Sequence, residues 1–349
     1  VPLHLSKPDT EALARGTPFL RLLAEAAQEL GGRIEMDRNF GFVGRYTPPG
    51  GAPGPVFGKA LGLNSDASAA LAADKEYTAT WLAAEGLPTP RGGIFFSQAY
   101  RDRMALRNRS IASRLPGAEA ARSMAAMLGF PVIAKPNAGS EGEDVHRCES
   151  PEDLDRDLAA LLTRHDRIRM EQCVAGRDYR LLVLEGDVVL AYERRPLSVT
   201  GDGARPLSSL IEAALARLAD RHRGCKIAGD DPRIARTLAT AGLALDTVIA
   251  QGERVALLGN ANLSTGGDLV DLTDVVPNAA RRLAVRAARS LGLRLAGVDL
   301  MAPDLLAQPE AAVILEVNSA PGLDYYASES QEHFDRARAI VRRMLTGLG

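Results

Sequence analysis

The chain has 349 residues, 46% of them hydrophobic and 25% charged, an ordinary globular composition with enough length for two or more packed domains. Its 42 Lys and Arg against 44 Asp and Glu leave no basic excess of the kind that selects nucleic acid or an anionic membrane, so small molecules are the expected partners. Cys148, Cys173 and Cys225 are odd in number and widely spaced, no apolar run approaches the roughly 20 residues of a membrane span, and VPLHLSKPDT lacks the order of a signal peptide; a reducing cytoplasm is expected.

In chain order, FLRLLAEAAQEL at 19–30 has helical periodicity and the Gly- and Pro-rich GRYTPPGGAPGP at 44–55 reads as a long loop, so residues 1–73 form a small N-terminal region. DKEYTATWLAAEG at 74–86 predicts a helix with an acid at its start, glycine at its end, and Pro88 and Pro90 beyond. An amphipathic stretch from Ser110 to Leu128 runs into PVIAKP, a strand ending at Lys135, and the glycine loop KPNAGSEGEDV follows from 135 to 145. Helix 151–165, with Pro151 near its first turn, precedes the alternating strands IRMEQCV, YRLLVLEG and VVLAYERRP, the last two joined at Gly186 and Asp187 as an antiparallel hairpin. A helix at 207–220, a polar connection near 221–233 and a helix ending near Gly242 lead to strand RVALLG at 254–259. The last third pairs helix 277–292 with strands LAGVDLMA and AAVILEVN and closes with helix 330–347, with no internal repeat. Hairpins mixed with helices predict an α+β (mixed α/β) fold rather than a uniformly alternating parallel sheet.

Four stretches carry chemistry. In GVDLM and ILEVN, polar residues interrupt apolar strands, and the period of two puts Glu316 and Asn318 on one face. Asp299 on a neighbouring antiparallel strand would complete a hard-oxygen site for Mg²⁺, or the three are solvated polar residues on a half-exposed face. Lys135 ends a strand and is followed by Gly139 and Gly142, so a lysine and loop amides could wrap phosphate; a surface turn is the plainer alternative. The loop matches neither G-x-x-x-x-G-K-[ST] nor G-x-G-x-x-G. MEQCVAGRDYR could supply a backbone edge for a base and Asp178 for a ribose, or be a strand ending in a solvated turn. ANLSTGGD could sit beside phosphates or be a plain turn.

Together DKEYTATWLAAEGLPTPRG, IAKPNAGSEGEDV, EQCVAGRDYRLLVLEGDVV, RRP with TGDG, ANLSTGGDLVDLTD, and GVDLM with ILEVNSAPG resemble the ATP-grasp superfamily over about residues 62–325, most closely the ATP-grasp part of cyanophycin synthetases. Glutathione synthetase and D-alanine-D-alanine ligase families are also similar. The resemblance implies two α+β subdomains clasping ATP, at 74–175 and 176–349 within a domain spanning 74–349, and an ATP- and Mg²⁺- (or Mn²⁺-) dependent carboxylate–amine ligase. By matching position, Lys75 and Lys135 would contact ATP phosphates, with Gly139, Ser140 and Gly142 of the loop in the same site and Lys226 as a further nucleotide contact. Glu171, Gln172, Cys173 and Val174 would line the adenine and Asp178 the ribose; Asp299, Glu316 and Asn318 would hold the metals. Arg180 and Arg194 or Arg195 resemble positions near the phosphates and the substrate carboxylate, and Asn262 and Ser264 would flank the reacting centre.

The implied chemistry is attack of a carboxylate on the γ-phosphate, then of an amine on the acylphosphate. The chain shows no P-loop of the second ligation that cyanophycin synthetases perform, so one amide or peptide bond on a small amino acid or peptide is expected rather than a polymer. A homodimer is compatible with the family. Readings as a small-molecule kinase or a silent ATP-binding module stay open; a Ser/His hydrolase has no sequence signature around His4, His146, His165, His222 or His333. Glu141, Glu143 and Asp144 depart from the family, whose loop is commonly neutral or basic there. They are expected to face solvent or a cationic amine while Lys135 and the amides face phosphate.

Overall fold

The computed structural model describes residues 4–9, 12–13, 16–139, 142–220 and 227–348. Two compact units are each assembled from separate stretches: one from 1–65, 189–273 and 320–349, the other from 66–188 and 274–319.

In the first unit, strands Leu5–Ser6, Arg33–Asp37, Val43–Thr47 and Gly54–Phe57 form an antiparallel sheet in that order. The long loop expected at 44–55 is therefore a hairpin. Its Gly and Pro residues concentrate in the six-residue connection, while Val43, Tyr46 and Val56 supply short strands. The Asp37 carboxylate fixes the preceding turn by accepting from the amides of Asn39, Phe40, Phe42 and Val43. Helix Pro18–Glu29, capped by Thr17, packs against helix Gln331–Thr346, and Arg338 reaches both Glu25 and Glu29 across them at 3.1 Å. A separate core gathers around helices Leu207–Asp220 and Pro232–Thr240, with Leu207, Ile211, Ile234, Leu238 and Leu257 buried.

The second unit contains two antiparallel sheets. The first has the strand order Gly92–Phe96, Arg167–Gln172, Val132–Pro136, His146–Cys148. Alternation divides it cleanly. Val132, Ala134, Ile168 and Met170 join helices Ala118–Leu128 and Pro151–Arg164 in a core, whereas Lys135, Arg169 and Glu171 lie on the opposite face. The second sheet sets Leu295–Ala302 between Arg177–Leu184 and Val313–Asn318, and helix Asn278–Ser290 packs against the first two of these strands. The sharp connection after Leu184 is Glu185–Gly186, φ 52° and 83°, rather than the expected Gly186–Asp187; Asp187 already begins a strand. The amphipathic stretch from 110 is split into Arg109–Ala112 and Ala118–Leu128 by SRLPG, where Pro116 and Gly117 interrupt the helix.

Gly92 is dictated by close approach, because a Cβ there would lie 2.4 Å from the Met170 carbonyl oxygen and 2.7 Å from Glu171 Cβ. Gly92→Ala must push the strand pair apart beneath Glu171. Overpacking of this kind costs about 1–3 kcal/mol, so the variant is expected to melt several degrees lower; an unchanged melting temperature by calorimetry would refute the tight register.

Candidate functional site

Three consecutive residues at the start of helix Lys75–Ala84 organise the second unit. Asp74 caps the helix, accepting from the Tyr77 amide at 3.1 Å, and its other oxygen meets Arg167 at 3.0 Å. Lys75 donates to the Gly139 carbonyl oxygen at 2.8 Å and lies 3.4 Å from Glu316. Glu76 pairs with Arg169. Asn137 closes the arrangement: its backbone carbonyl accepts from the Lys75 amide and its side-chain oxygen from the Glu76 amide, both at 3.0 Å. Asn137 is buried, and its Nδ2 has no hydrogen-bond partner among the described residues, an orphan donor that suits an acceptor-rich ligand.

Beneath the helix start lies a buried ionic group. Lys135 pairs with Glu171 Oε1, while Arg169 Nε donates to Glu171 Oε2 at 2.7 Å and the Arg169 guanidinium also meets Glu76 and, at 3.1 Å, the Pro90 carbonyl. Lys135, Arg169 and Glu171 are 7%, 2% and 3% exposed, and each buried charge has an opposite charge in contact. Sequence reasoning singled out Lys135 and Glu171 separately, and the structure brings them together. It missed Glu76, Asn137 and Arg169. For Arg169 a signal existed, since Arg167, Arg169 and Glu171 occupy one face of a strand whose other face is Ile168 and Met170.

The second sheet carries an ionic row. Arg180, Asp299 and Glu316 are direct cross-strand partners on three adjacent strands, which puts them on one face. A register shift just past Asp299 leaves Leu315 unopposed and ends this alignment, the kind of bulge that aims side chains at a site. Arg180 grips Asp299 with two nitrogens, one at 2.7 Å. Asn318 donates its amide to Glu316 at 3.1 Å. Burial would raise the Glu316 pKa, but Lys75, the Asn318 hydrogen bond, Arg180 and Lys135 outweigh it and push it down to about 2. Two opposed carboxylates and the remaining amide oxygen of Asn318 are a hard-oxygen donor set that fits a divalent cation keeping room for other ligands. Arg180 and Lys75 now supply the balancing positive charge. Among the described residues, His, Cys, Asp and Glu alone form no group of three that could hold a metal ion.

In the glycine loop, Gly139 and Gly142 have φ of 139° and 71°. Ser140 and Glu141 lie outside the described residues, as do Lys226, His222 and Cys225. Asp144 departs from the expectation that the loop acids face solvent or an amine. Its φ of 53° turns the side chain to the end of helix Pro151–Arg164, where it meets Arg164 at 3.0 Å and His165 at 2.7 Å. Glu143 is exposed. Gln172 is exposed, Cys173 and Val174 are half-buried just past the strand end, burial raises the Cys173 thiol pKa, and Asp178 lies on the strand opposite Met301.

The other sequence candidates belong to the first unit. Arg194 and Arg195 end strand Asp187–Arg195, paired with Leu269 and Asp268, and Arg195 meets Glu193 at 2.9 Å. Asn262 starts a tight turn in which its carbonyl accepts from Thr265 and Gly267, and Ser264 is buried within it. Gly267 is required there, since a Cβ would stand 2.6 Å from the Arg195 carbonyl oxygen.

Residues 244–344 match the model of the RimK-like ATP-grasp domain. A cyanophycin synthetase of Geminocystis herdmanii is 32% identical over 332 residues, covering 92% of this chain and 34% of that protein. A glutathione biosynthesis bifunctional protein of Desulfotalea psychrophila is 30% identical over 200 residues, 55% of this chain and 25% of that protein. The chain thus spans about a third or less of these relatives' lengths. The crystal structure of a bifunctional glutathione synthetase from Pasteurella multocida superposes with a TM-score of 0.60 at 21% identity, covering 96% of this chain and 44% of that one, which establishes a common fold. No helix among the described residues is long and apolar enough to cross a membrane.

Asp144 gives a pH test of the loop anchor. Burial raises its pKa, but the His165 hydrogen bond and the charges of Arg164, His165 and His146 more than offset this and hold it below the usual carboxylate range. A depressed carboxyl stabilises fully above the ordinary Asp value of about 4 and loses that contribution as the pH falls through its lower folded value. Asp144→Asn should therefore lower the urea midpoint at pH 7, with the gap closing below about pH 4. Equal midpoints at pH 7 would show that the anchor contributes nothing.

Proposed function

From the match of residues 244–344 to the RimK-like ATP-grasp domain and the fold shared with a bifunctional glutathione synthetase, we propose that this chain is an ATP- and Mg²⁺-dependent carboxylate–amine ligase. It forms one amide or peptide bond on a small amino acid or peptide and releases ADP and phosphate. The observation that carries the reading is the double reach of Lys75, which ties the glycine loop at Gly139 to the acidic row at Glu316. A lysine so placed can exchange both partners for phosphate oxygens that belong beside the loop and the row together.

The charge balance of the second unit agrees. Lys75, Lys135, Arg169 and Arg180 are matched by Glu316, Glu171, Glu76 and Asp299. A site already balanced takes a ligand that brings its own counter-charge, as a nucleotide triphosphate does with divalent cations. Asp299, Glu316 and Asn318 are the residues that would hold the metal, which supplies charge neutralisation at the phosphates. Lys75, Lys135 and the orphan Asn137 amide orient the phosphate chain, and Arg180, released from part of its grip on Asp299, meets the transferring phosphoryl oxygens. The substrate carboxylate attacks the γ-phosphorus, the β,γ-bridging oxygen leaves with ADP, and the amine nitrogen then displaces phosphate from the acyl carbon. Resemblance assigns Arg194 or Arg195 to the substrate carboxylate and Asn262 and Ser264 to the reacting centre.

A coupled ADP-release screen over pairs of carboxylates and amines tests the reading. Turnover that needs both partners is expected; turnover with one hydroxyl compound and no amine would make the chain a kinase, and none with any pair would end the ligase reading. Glu316→Gln and Asp299→Asn should each lower metal-dependent turnover by about 100-fold or more in protein whose circular dichroism is unchanged. Full activity of either would remove it from the metal set.

A further inference from the structure

The ligase chemistry leaves one buried charge unexplained. Arg169 is 2% exposed and stands directly opposite Lys135 in the sheet register, so two cations face each other across neighbouring strands inside the protein. Glu171 alone would suffice to balance Lys135. Adding Arg169 and Glu76 takes two more charges out of water, and an apolar pair of similar volume would be at least as stable. The second pair therefore needs a reason other than stability.

The geometry supplies one. All three guanidinium nitrogens of Arg169 are engaged: Nε with Glu171 Oε2 at 2.7 Å, one terminal nitrogen with Glu76 and the other with the Pro90 carbonyl at 3.1 Å. Lys135 holds only the remaining oxygen of Glu171, Oε1. Glu171 is thus doubly held, and Arg169 stays in contact with it when Lys135 turns away. We propose that Arg169 is a positioning residue of the nucleotide site, holding Glu171 and Glu76 so that Lys135 can exchange its carboxylate for a nucleotide phosphate. This rests on the reading of Lys135 as a phosphate ligand. Without Arg169, two carboxylates would compete with the phosphate for one lysine. Lysine at 169 could not reproduce the three-way fork.

The test is binding of a non-hydrolysable ATP analogue with Mg²⁺, measured by calorimetry, so that it does not depend on knowing the ligase substrates. Arg169→Met should weaken binding at least about tenfold. Two charge-balanced double variants separate positioning from simple support of the fold, and they decide the matter even if Arg169→Met alone does not fold. Arg169→Met with Glu171→Gln frees Lys135 of its carboxylate and should recover most of the affinity. Arg169→Met with Glu76→Gln keeps a lone Lys135–Glu171 pair and should recover the melting temperature while binding stays weak. If that second double variant recovers affinity along with stability, or Arg169→Met binds as tightly as the unmodified chain, the proposal is wrong. Failure of the unmodified chain to bind the analogue would overturn the ligase reading first, and this one with it.

Discussion

The second unit depends on one constraint: the side chains of Asp74, Lys75 and Glu76 leave the first turn of a helix in three directions, and each must find an opposite charge or a carbonyl. Asp74 finds Arg167, Lys75 finds Gly139 and Glu316, and Glu76 finds Arg169. Asn137 then takes the two free amides that follow the cap. Because an unpaired charge is costly where it is buried, as at Arg169, these contacts set the helix, the strand ending at Pro136 and the row at Glu316 relative to one another. Lys75, the residue proposed to bind phosphate, is thus also the one that ties the glycine loop to the second sheet.

Register does the corresponding work in the second sheet. Asp299 meets Arg180 on one side and Glu316 on the other because all three share one rung, and a slip by one residue would replace them with Val298, Leu181 and Val317, the apolar rung beside it. The apolar rung is buried and holds the register. Packing on one face consequently fixes the charge geometry on the other, which is how a site of oxygen donors can be rigid without a ligand to organise it.

Local signals were legible in the sequence. The acid before Lys75, Ser150 before Pro151 and the glycine at 86 are helix caps, and each sits where its chemistry says. The alternation in ILEVN placed Glu316 and Asn318 side by side, as their hydrogen bond shows. What failed depended on distance along the chain or on density of turn residues. Strands Val43–Thr47 and Gly54–Phe57 are too short to outweigh the Gly and Pro between them. Arg169 and Glu76 are 93 residues apart, and only the strand order that puts Arg167–Gln172 beside Val132–Pro136 brings the arginine, Lys135 and the helix start together. Asp144 misled for a different reason: a carboxylate in a glycine loop looks like a ligand, and its left-handed backbone conformation, which turns it to a helix end, leaves no mark on the sequence.

The acids of the loop follow from these contacts. The loop is fastened at its start by the Gly139 carbonyl on Lys75 and near its end by Asp144 on Arg164 and His165. The two fastenings differ in kind. Asp144 is tied to a helix whose other face is core, so its hold is independent of any ligand. Lys75 is shared with Glu316, so an anion that draws Lys75 loosens the start of the loop and relieves Glu316 of its cation in the same event. A divalent cation is the species that restores the lost charge at Glu316, and on this ground nucleotide and metal should bind the unit together rather than in turn.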